Sequence, residues 1–401
     1  MKQHPIFIVG APRSGTTLLS ALLSSHSRIA CGPESHFFNK LASKEIDDAI
    51  QDDNWPNKAV SLLTSTKLSG QCVYELFGLK SDDIRVYLTN RSPSLRVLLE
   101  ALTVQHAHKL DKVRWAEKTP NHLLCLPLIR STFPGSPIIR IIRDPRDSAM
   151  SMRKLPWASQ SILANCYLWD AWFSSSHEFC VRDEETLTIR YEDLILSPKT
   201  VLSKICCHIG ESFEENMLDT SETARIVSSP NEFWKTQVAD PLDLDRLYVW
   251  KRELPKQLLK PTTYACQYGI ETFQYEQASP PKSLYFLYCL DRDFIEMNEA
   301  SIIESSNNGM EFIQVQKIKV LEHTDLGAGT FFVCKLPDLE DEFLEKVLSL
   351  LKFFLYLLIN RMRGHSIACP EDYLDLRKAK GLSNFWRIFF LKILGSKAAS
   401  I

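Results

Sequence analysis

The chain has 401 residues, about 2.7 domains' worth at ~150 residues each. With 45% hydrophobic and 24% charged residues it is neither disordered nor fibrous. The 47 basic and 49 acidic side chains leave a net charge of −2, which excludes a global attraction to nucleic acid or membrane, so any anion site must come from local placement. Met1–His4 run straight into PIFIVG, and no leader is expected. Ile6 to Val9 is a short apolar run closed by Gly10, the pattern of a strand covered on both faces in a parallel sheet. From Thr16 the run TTLLSALLSSH turns to helical spacing, with Leu18, Leu19, Leu22 and Leu23 on one side. Residues 36–110 read as mostly helical with a polar tract at Asp47–Asn57, and form an expected cap inserted into the domain. Further strands are expected at Val113–Ala116, Ile138–Ile142 and Thr186–Arg190, with a helix from about Pro198.

The α/β domain is expected to occupy residues 1–276 and to end before the linker Gln277–Pro281. An accessory α+β region, 282–401, follows. In it, the alternation at Met310–Val320 suggests a strand, and Phe331–Cys334 a hairpin partner for it. A leucine-rich helix is expected over 340–362. The tail Phe385–Lys397 carries Arg387, Lys392 and Lys397 among aromatics, which suits either a membrane interface or docking on helix 340–362. Docking is favoured, because two apolar stripes within sixty residues satisfy each other. Eleven cysteines, an odd number without a CxxC or His-spaced cluster, point to reduced thiols in a cytoplasmic chain and to no metal site.

Gly10–Thr17 reads GAPRSGTT, the glycine spacing of the phosphate-cradling loop GxxxxGK[ST], placed between an expected strand and an expected helix. Backbone N–H groups and the helix N-terminus there would surround a phosphate. Thr16 stands where that motif needs lysine, so the usual grip on β- and γ-phosphates is missing, while Arg13 brings a cation into the loop. This combination suits a 5′-phosphoryl group carrying a leaving unit better than a nucleoside triphosphate. The bland alternative is a ligand-free strand–loop–helix turn.

PRSGTT after a first strand resembles the 5′-phosphosulfate loop of sulfotransferases that use 3′-phosphoadenosine-5′-phosphosulfate (PAPS). The resemblance is closest to the tyrosylprotein-sulfotransferase-like and bacterial branch and covers residues 5 to about 200. It implies that Arg13, Ser14, Gly15, Thr16 and Thr17 contact the 5′-phosphate and sulfuryl group. It also implies that Arg143, and Ser151 eight residues on, grip the 3′-phosphate from IIRIIRDPRDSAMSM. Within WAEKTPNH, Lys118 would bind the bridging oxygen of the leaving phosphate, and Tyr191 of RYEDLILSP would lie near the nucleotide. Cys31-Gly32-Pro33-Glu34 resembles the branch's Cys-Gly-x-Glu segment, with Glu34 placed 21 residues after Arg13 as in that branch. Glu34 is therefore the candidate base, with His36 and His122 in reserve. The position of the cytosolic branch's catalytic histidine is Pro120 here.

The resemblance implies an α/β fold of the P-loop type, three-layered around a mainly parallel sheet. It further implies in-line transfer of sulfuryl from PAPS to a hydroxyl or amine, release of 3′-phosphoadenosine-5′-phosphate (PAP), and no metal. Rival readings are a degenerate P-loop kinase, with Asp144 as the acidic magnesium ligand, and a noncatalytic PAP-binding scaffold using 282–401 for partners. The class of acceptor, the loop over the adenosine and the oligomeric state are not encoded in any motif of this chain.

Overall fold

A computed structural model describes residues 4–41, 44–68, 70–155, 158, 162–227 and 243–277, together with five strands between 284 and 368. The chain folds as two compact units, one of Met1–Arg143 with Ser176–Leu247, the other of Asp144–Ser175 with Tyr248–Ile401.

The first unit is built on a parallel sheet. β1 (Ile6–Val9) leads into α1 (Thr16–Ser24), and β2 (Ile29–Cys31) follows. The insertion then runs through a π-turn at Phe37–Leu41, α2 (Lys44–Ile50), α3 (Asn57–Ser65), a two-rung hairpin of β3 (Lys67–Leu68) and β4 (Gln71–Cys72), α4 (Val73–Leu76), α5 (Ser81–Thr89) and α6 (Leu95–Lys109). It is mostly helical, as its spacing indicates. Next come β5 (Arg114–Lys118), α7 (Leu126–Thr132) and β6 (Ile138–Ile142). After α8 (Pro145–Met152) and the long α9 (Ile162–Arg182), β7 (Thr186–Arg190), α10 (Tyr191–Leu196) and α11 (Pro198–Ile209) complete the series.

The sheet order is β2-β5-β1-β6-β7, and every pairing is parallel. All four residues of β1 and all five of β6 are buried, which is why both strands read as apolar runs, broken in β6 only by Arg140, whose Nε donates to Thr188 Oγ1. Each fully buried Phe or Ile here contributes roughly 1.5–3 kcal/mol. Phe7 meets Trp115 and Phe133 edge-on or tilted, at centroid distances of 5.9 and 5.2 Å. The connection from β1 leaves towards β2 and that from β6 towards β7, so the crevice between diverging connections opens at the C-terminal ends of the strands.

Two expectations shift. The strand expected at Val113–Ala116 is Arg114–Lys118, because Val113 is 66% exposed while the charged ends of the true strand are buried against partners. Arg114 donates to the carbonyls of His4 and Ile209 and to Glu211, which explains how a cation can sit in a covered strand. β2 escaped notice because three residues are too few to show a period.

In the second unit, α12 (Val249–Glu253), α13 (Lys256–Ala265) and α14 (Gln267–Thr272) accompany α8 and the first part of α9. Asp170 of α9 accepts the backbone N–H of Gly269 at 3.1 Å. Burial pushes its carboxyl up to about 7, against the Gly269 N–H and with help from Glu271. An acid whose folded value is raised loses stability as pH climbs from its ordinary 3.8 to about 7. Asp170→Asn should therefore raise the melting temperature relative to the parent by an increment that grows over that window and is flat above it, on the order of a few °C. Thermal unfolding from pH 4 to pH 8 checks this.

Beyond the linker, β8 (Leu284–Leu290), β9 (Met310–Val315), β10 (Ile318–His323), β11 (Gly329–Lys335) and β12 (Ser366–Ala368) are described. The strand expected over Met310–Val320 is two strands, β9 and β10, which pair antiparallel across a two-residue connection. Phe331–Cys334, expected to pair with that strand as a hairpin, lies in β11, which instead runs parallel to β8, with β12 on β8's other side. Helix 340–362 and the tail 385–397 lie outside the described residues. No described helix is long and apolar enough to cross a membrane.

Candidate active site

All five parallel strands of the first unit deliver a candidate residue at or just past their C-terminal ends. Gly10–Thr17 follows β1, Glu34 follows β2, Lys118 ends β5, Arg143 follows β6 and Tyr191 follows β7.

The loop after β1 is shaped by two close approaches. A Cβ at Gly10 would lie 2.5 Å from the carbonyl oxygen of Ile141, and one at Gly15 would lie 2.4 Å from Cδ2 of Tyr191. Gly15 also has φ 99°, in the left-handed region that only glycine enters without strain, and Arg13 adopts φ 65°. Gly15 caps α1 with no side-chain hydrogen bond, and the first turn of that helix holds no acidic residue. Its leading N–H groups are thus presented to an anion without a competing carboxylate. Ser14 is fully buried, and its Oγ has no hydrogen-bond partner among the described residues. A buried hydroxyl without a partner is costly, and a phosphoryl or sulfuryl oxygen would satisfy it. Gly15→Ala should weaken PAP binding by ~10-fold or more, from backbone strain added to the clash with Tyr191. Calorimetric titration with PAP reads the effect.

Positive charge is concentrated around the loop. Burial lowers the Arg13 guanidinium to about 10, the Arg143 and Arg246 charges push the same way, and Glu34 and Tyr191 offset only part of this. Arg143 donates to the carbonyl of Arg13 at 3.3 Å and to that of Arg246 at 2.6 Å, and its Cζ lies 4.5 Å from the centre of the Tyr191 ring. Tyr191 is buried, and burial holds its phenol above the ordinary value despite Arg143 and Arg246. Arg246 was missed by sequence reading. No spacing rule singles it out.

Glu34 and Lys118 form a buried ion pair. Nζ of the fully buried Lys118 donates to Oε1 of Glu34 at 2.7 Å, while Oε2 lies 3.4 Å from Nε2 of His36. The carboxylate is 12% exposed, enough for one face to meet a small reacting group. His36 remains a neighbour of the candidate base. His122 does not: it is fully buried, with Nδ1 2.7 Å from Glu117 Oε2 and Nε2 accepting the Phe38 N–H at 3.1 Å. With both ring nitrogens occupied in the core, His122 is removed as a reserve base.

Ser151 belongs to the second unit, half-buried in the last turn of α8. Asp144, the acidic residue a kinase would need, accepts at both oxygens from Arg146, at 2.9 and 2.7 Å. A carboxylate clasped in this way is a poor magnesium ligand. Among the described residues no group of acidic, His or Cys side chains is arranged to hold a metal ion.

The family model described as "Sulfotransferase family" matches residues 5–215, just over half the chain and the whole of this strand-end constellation. The chain belongs to the sulfotransferase family. Among the sulfotransferases it resembles, Protein-tyrosine sulfotransferase A of Caenorhabditis elegans is 23% identical over 263 residues, covering 63% of this chain and 63% of that protein. Protein-tyrosine sulfotransferase 2 of Gallus gallus is 24% identical over 273 residues, covering 65% of this chain and 66% of that protein. The chain thus spans just under two thirds of these relatives. The solved sulfotransferase domain from the curacin biosynthetic pathway shares the fold, with TM-score 0.50 and 22% identity over 69% of this chain and 99% of that one. The sheet, its loop after β1 and these likenesses make this an α/β sulfotransferase fold of the P-loop type.

Proposed function

We propose that this chain transfers the sulfuryl group of PAPS to an acceptor hydroxyl or amine and releases PAP. The observation that carries this reading is the buried, unpartnered Ser14 hydroxyl, set in an uncapped helix start beside Arg13 and Arg143. Loop N–H groups, Ser14 and Arg13 would hold the 5′-phosphosulfate; Arg143 would hold the 3′-phosphate, with Tyr191 against the nucleotide.

The chemistry needs one base and one cation, and the Glu34–Lys118 pair supplies both. As the acceptor oxygen bonds to sulfur, its proton passes to Glu34 and the bond from sulfur to the 5′-phosphate oxygen breaks. The charge developing on that oxygen is matched by Lys118 and Arg13. No step requires a metal. The kinase reading is disfavoured, because Thr16 occupies the lysine position and Asp144 is held by Arg146.

Relatives named protein-tyrosine sulfotransferases make a tyrosine-bearing peptide the first acceptor to try. Sulfur-labelled PAPS offered with a tyrosine peptide, a sugar and a long-chain alcohol tests the reading. Label should move to one class and depend on Glu34. No transfer to any acceptor or to water, alongside PAP binding, would leave the chain a PAP-binding scaffold.

A further inference from the structure

Glu117 is a buried carboxylate next to Lys118 in sequence, on the strand that carries it, and no step of the transfer uses it. It is 2% exposed, and burying a carboxylate is expensive unless every oxygen is well matched. Here it is matched three times. Ser35 Oγ donates to Oε1 at 2.6 Å, Thr119 Oγ1 donates to Oε1 at 2.7 Å, and His122 Nδ1 reaches Oε2 at 2.7 Å.

The same three side chains do a second job. Three consecutive backbone N–H groups of the segment after Glu34 end on them: His36 on Thr119 Oγ1 at 3.2 Å, Phe37 on Ser35 Oγ at 3.2 Å and Phe38 on His122 Nε2 at 3.1 Å. A single His122 tautomer, with its proton on Nδ1, satisfies both of its bonds. Burial alone would raise the Glu117 carboxyl, but His122, Ser35 and Thr119 outweigh it and hold the group below its ordinary value. It is therefore an anion at neutral pH, and all three spokes are charge-assisted.

The residues involved flank the reacting pair on both sides. Glu117 and Thr119 are the neighbours of Lys118, and Ser35 and His36 are the residues after Glu34. We propose that Glu117 is the positioning residue for the Glu34–Lys118 pair, the hub that fixes the backbone after β2 against the end of β5. The inference rests on the sulfotransferase reading above. A buried ionic cluster can often be replaced as a whole by well-packed apolar side chains at no loss of stability, so fold energy alone does not account for this one. Freed from the hub, Glu34 would swing with its loop while the phosphate loop after β1 kept its shape. The loss should therefore fall on turnover rather than on nucleotide binding, since misplacement by ~1 Å costs up to ~10²-fold.

A double-mutant cycle tests this, with label transfer from PAPS to the panel acceptor, or to water if none accepts, and PAP affinity by calorimetry. Glu117→Gln should lower kcat by ~10–100-fold with PAP affinity within ~3-fold, and in a Glu34→Gln background its further effect should shrink to under ~3-fold. Equal fold losses in both backgrounds, or PAP affinity falling in step with kcat, would overturn the proposal. If Glu117→Gln does not fold, Ser35→Ala and Thr119→Val each remove one spoke and should show the same vanishing effect in the Glu34→Gln background. Absence of both transfer and PAP binding in the parent protein would sink the sulfotransferase reading and this inference with it. An active parent with an additive cycle would sink this inference alone.

Discussion

Glu34→Gln is expected to lower turnover by ~10²–10⁴-fold while PAP affinity stays within a few-fold. The amide keeps the volume and can still accept from Lys118 Nζ, which now sits 2.7 Å from Oε1, but it cannot take a proton. The substitution also removes the negative charge that Glu34 sets against the buried Lys118. A bound 5′-phosphate restores a negative partner, so the nucleotide-bound state should be affected least. Steady-state kinetics with labelled PAPS, paired with PAP calorimetry, separates the two effects. Activity within a factor of five of the parent would transfer the role of base to His36, whose Nε2 lies 3.4 Å from Glu34 Oε2.

Arg143→Ala should weaken PAP by roughly 10- to 150-fold, the equivalent of one charge-assisted contact of ~1.5–3 kcal/mol. Adenosine 5′-phosphosulfate, which lacks the 3′-phosphate, should lose far less. The structure sharpens the comparison, because Arg143 also braces the site through the carbonyls of Arg13 and Arg246. Equal loss for both ligands would mean that this bracing is its whole contribution. Arg143→Lys should behave nearly as badly as alanine towards PAP, since an ammonium cannot present a fork to a phosphate dianion.

What could be read from the chain beforehand was whatever is written in adjacent residues. GAPRSGTT carries its own glycine spacing, and IIRII is a buried strand spelled as aliphatic pairs on either side of one arginine. Arg13, Lys118 and Glu34 could be nominated because each sits in a short segment with a recognisable residue order. The Glu117 hub was not, because its meaning depends on Ser35, 82 residues away in sequence, and on which way a histidine faces. His122 was misjudged for the same reason. A histidine near a lysine in sequence looks reactive, and only burial on both sides shows it to be structural. β5 was displaced because charged residues argue against a covered strand until their partners are known. Arg246 had no local pattern, and its role as an acceptor for Arg143 arises from a carbonyl, which sequence does not distinguish.

The central claim is that the loop after β1, with Arg143, is built for a nucleotide bearing a 3′-phosphate and a 5′-phosphoryl unit, and not for a triphosphate. Calorimetric titration of the full chain with PAP and, separately, with ATP and magnesium tests it most directly. PAP should bind at least ~100-fold more tightly than ATP, a gap of about 2.7 kcal/mol. ATP with magnesium binding as tightly as PAP, or more tightly, would contradict the account.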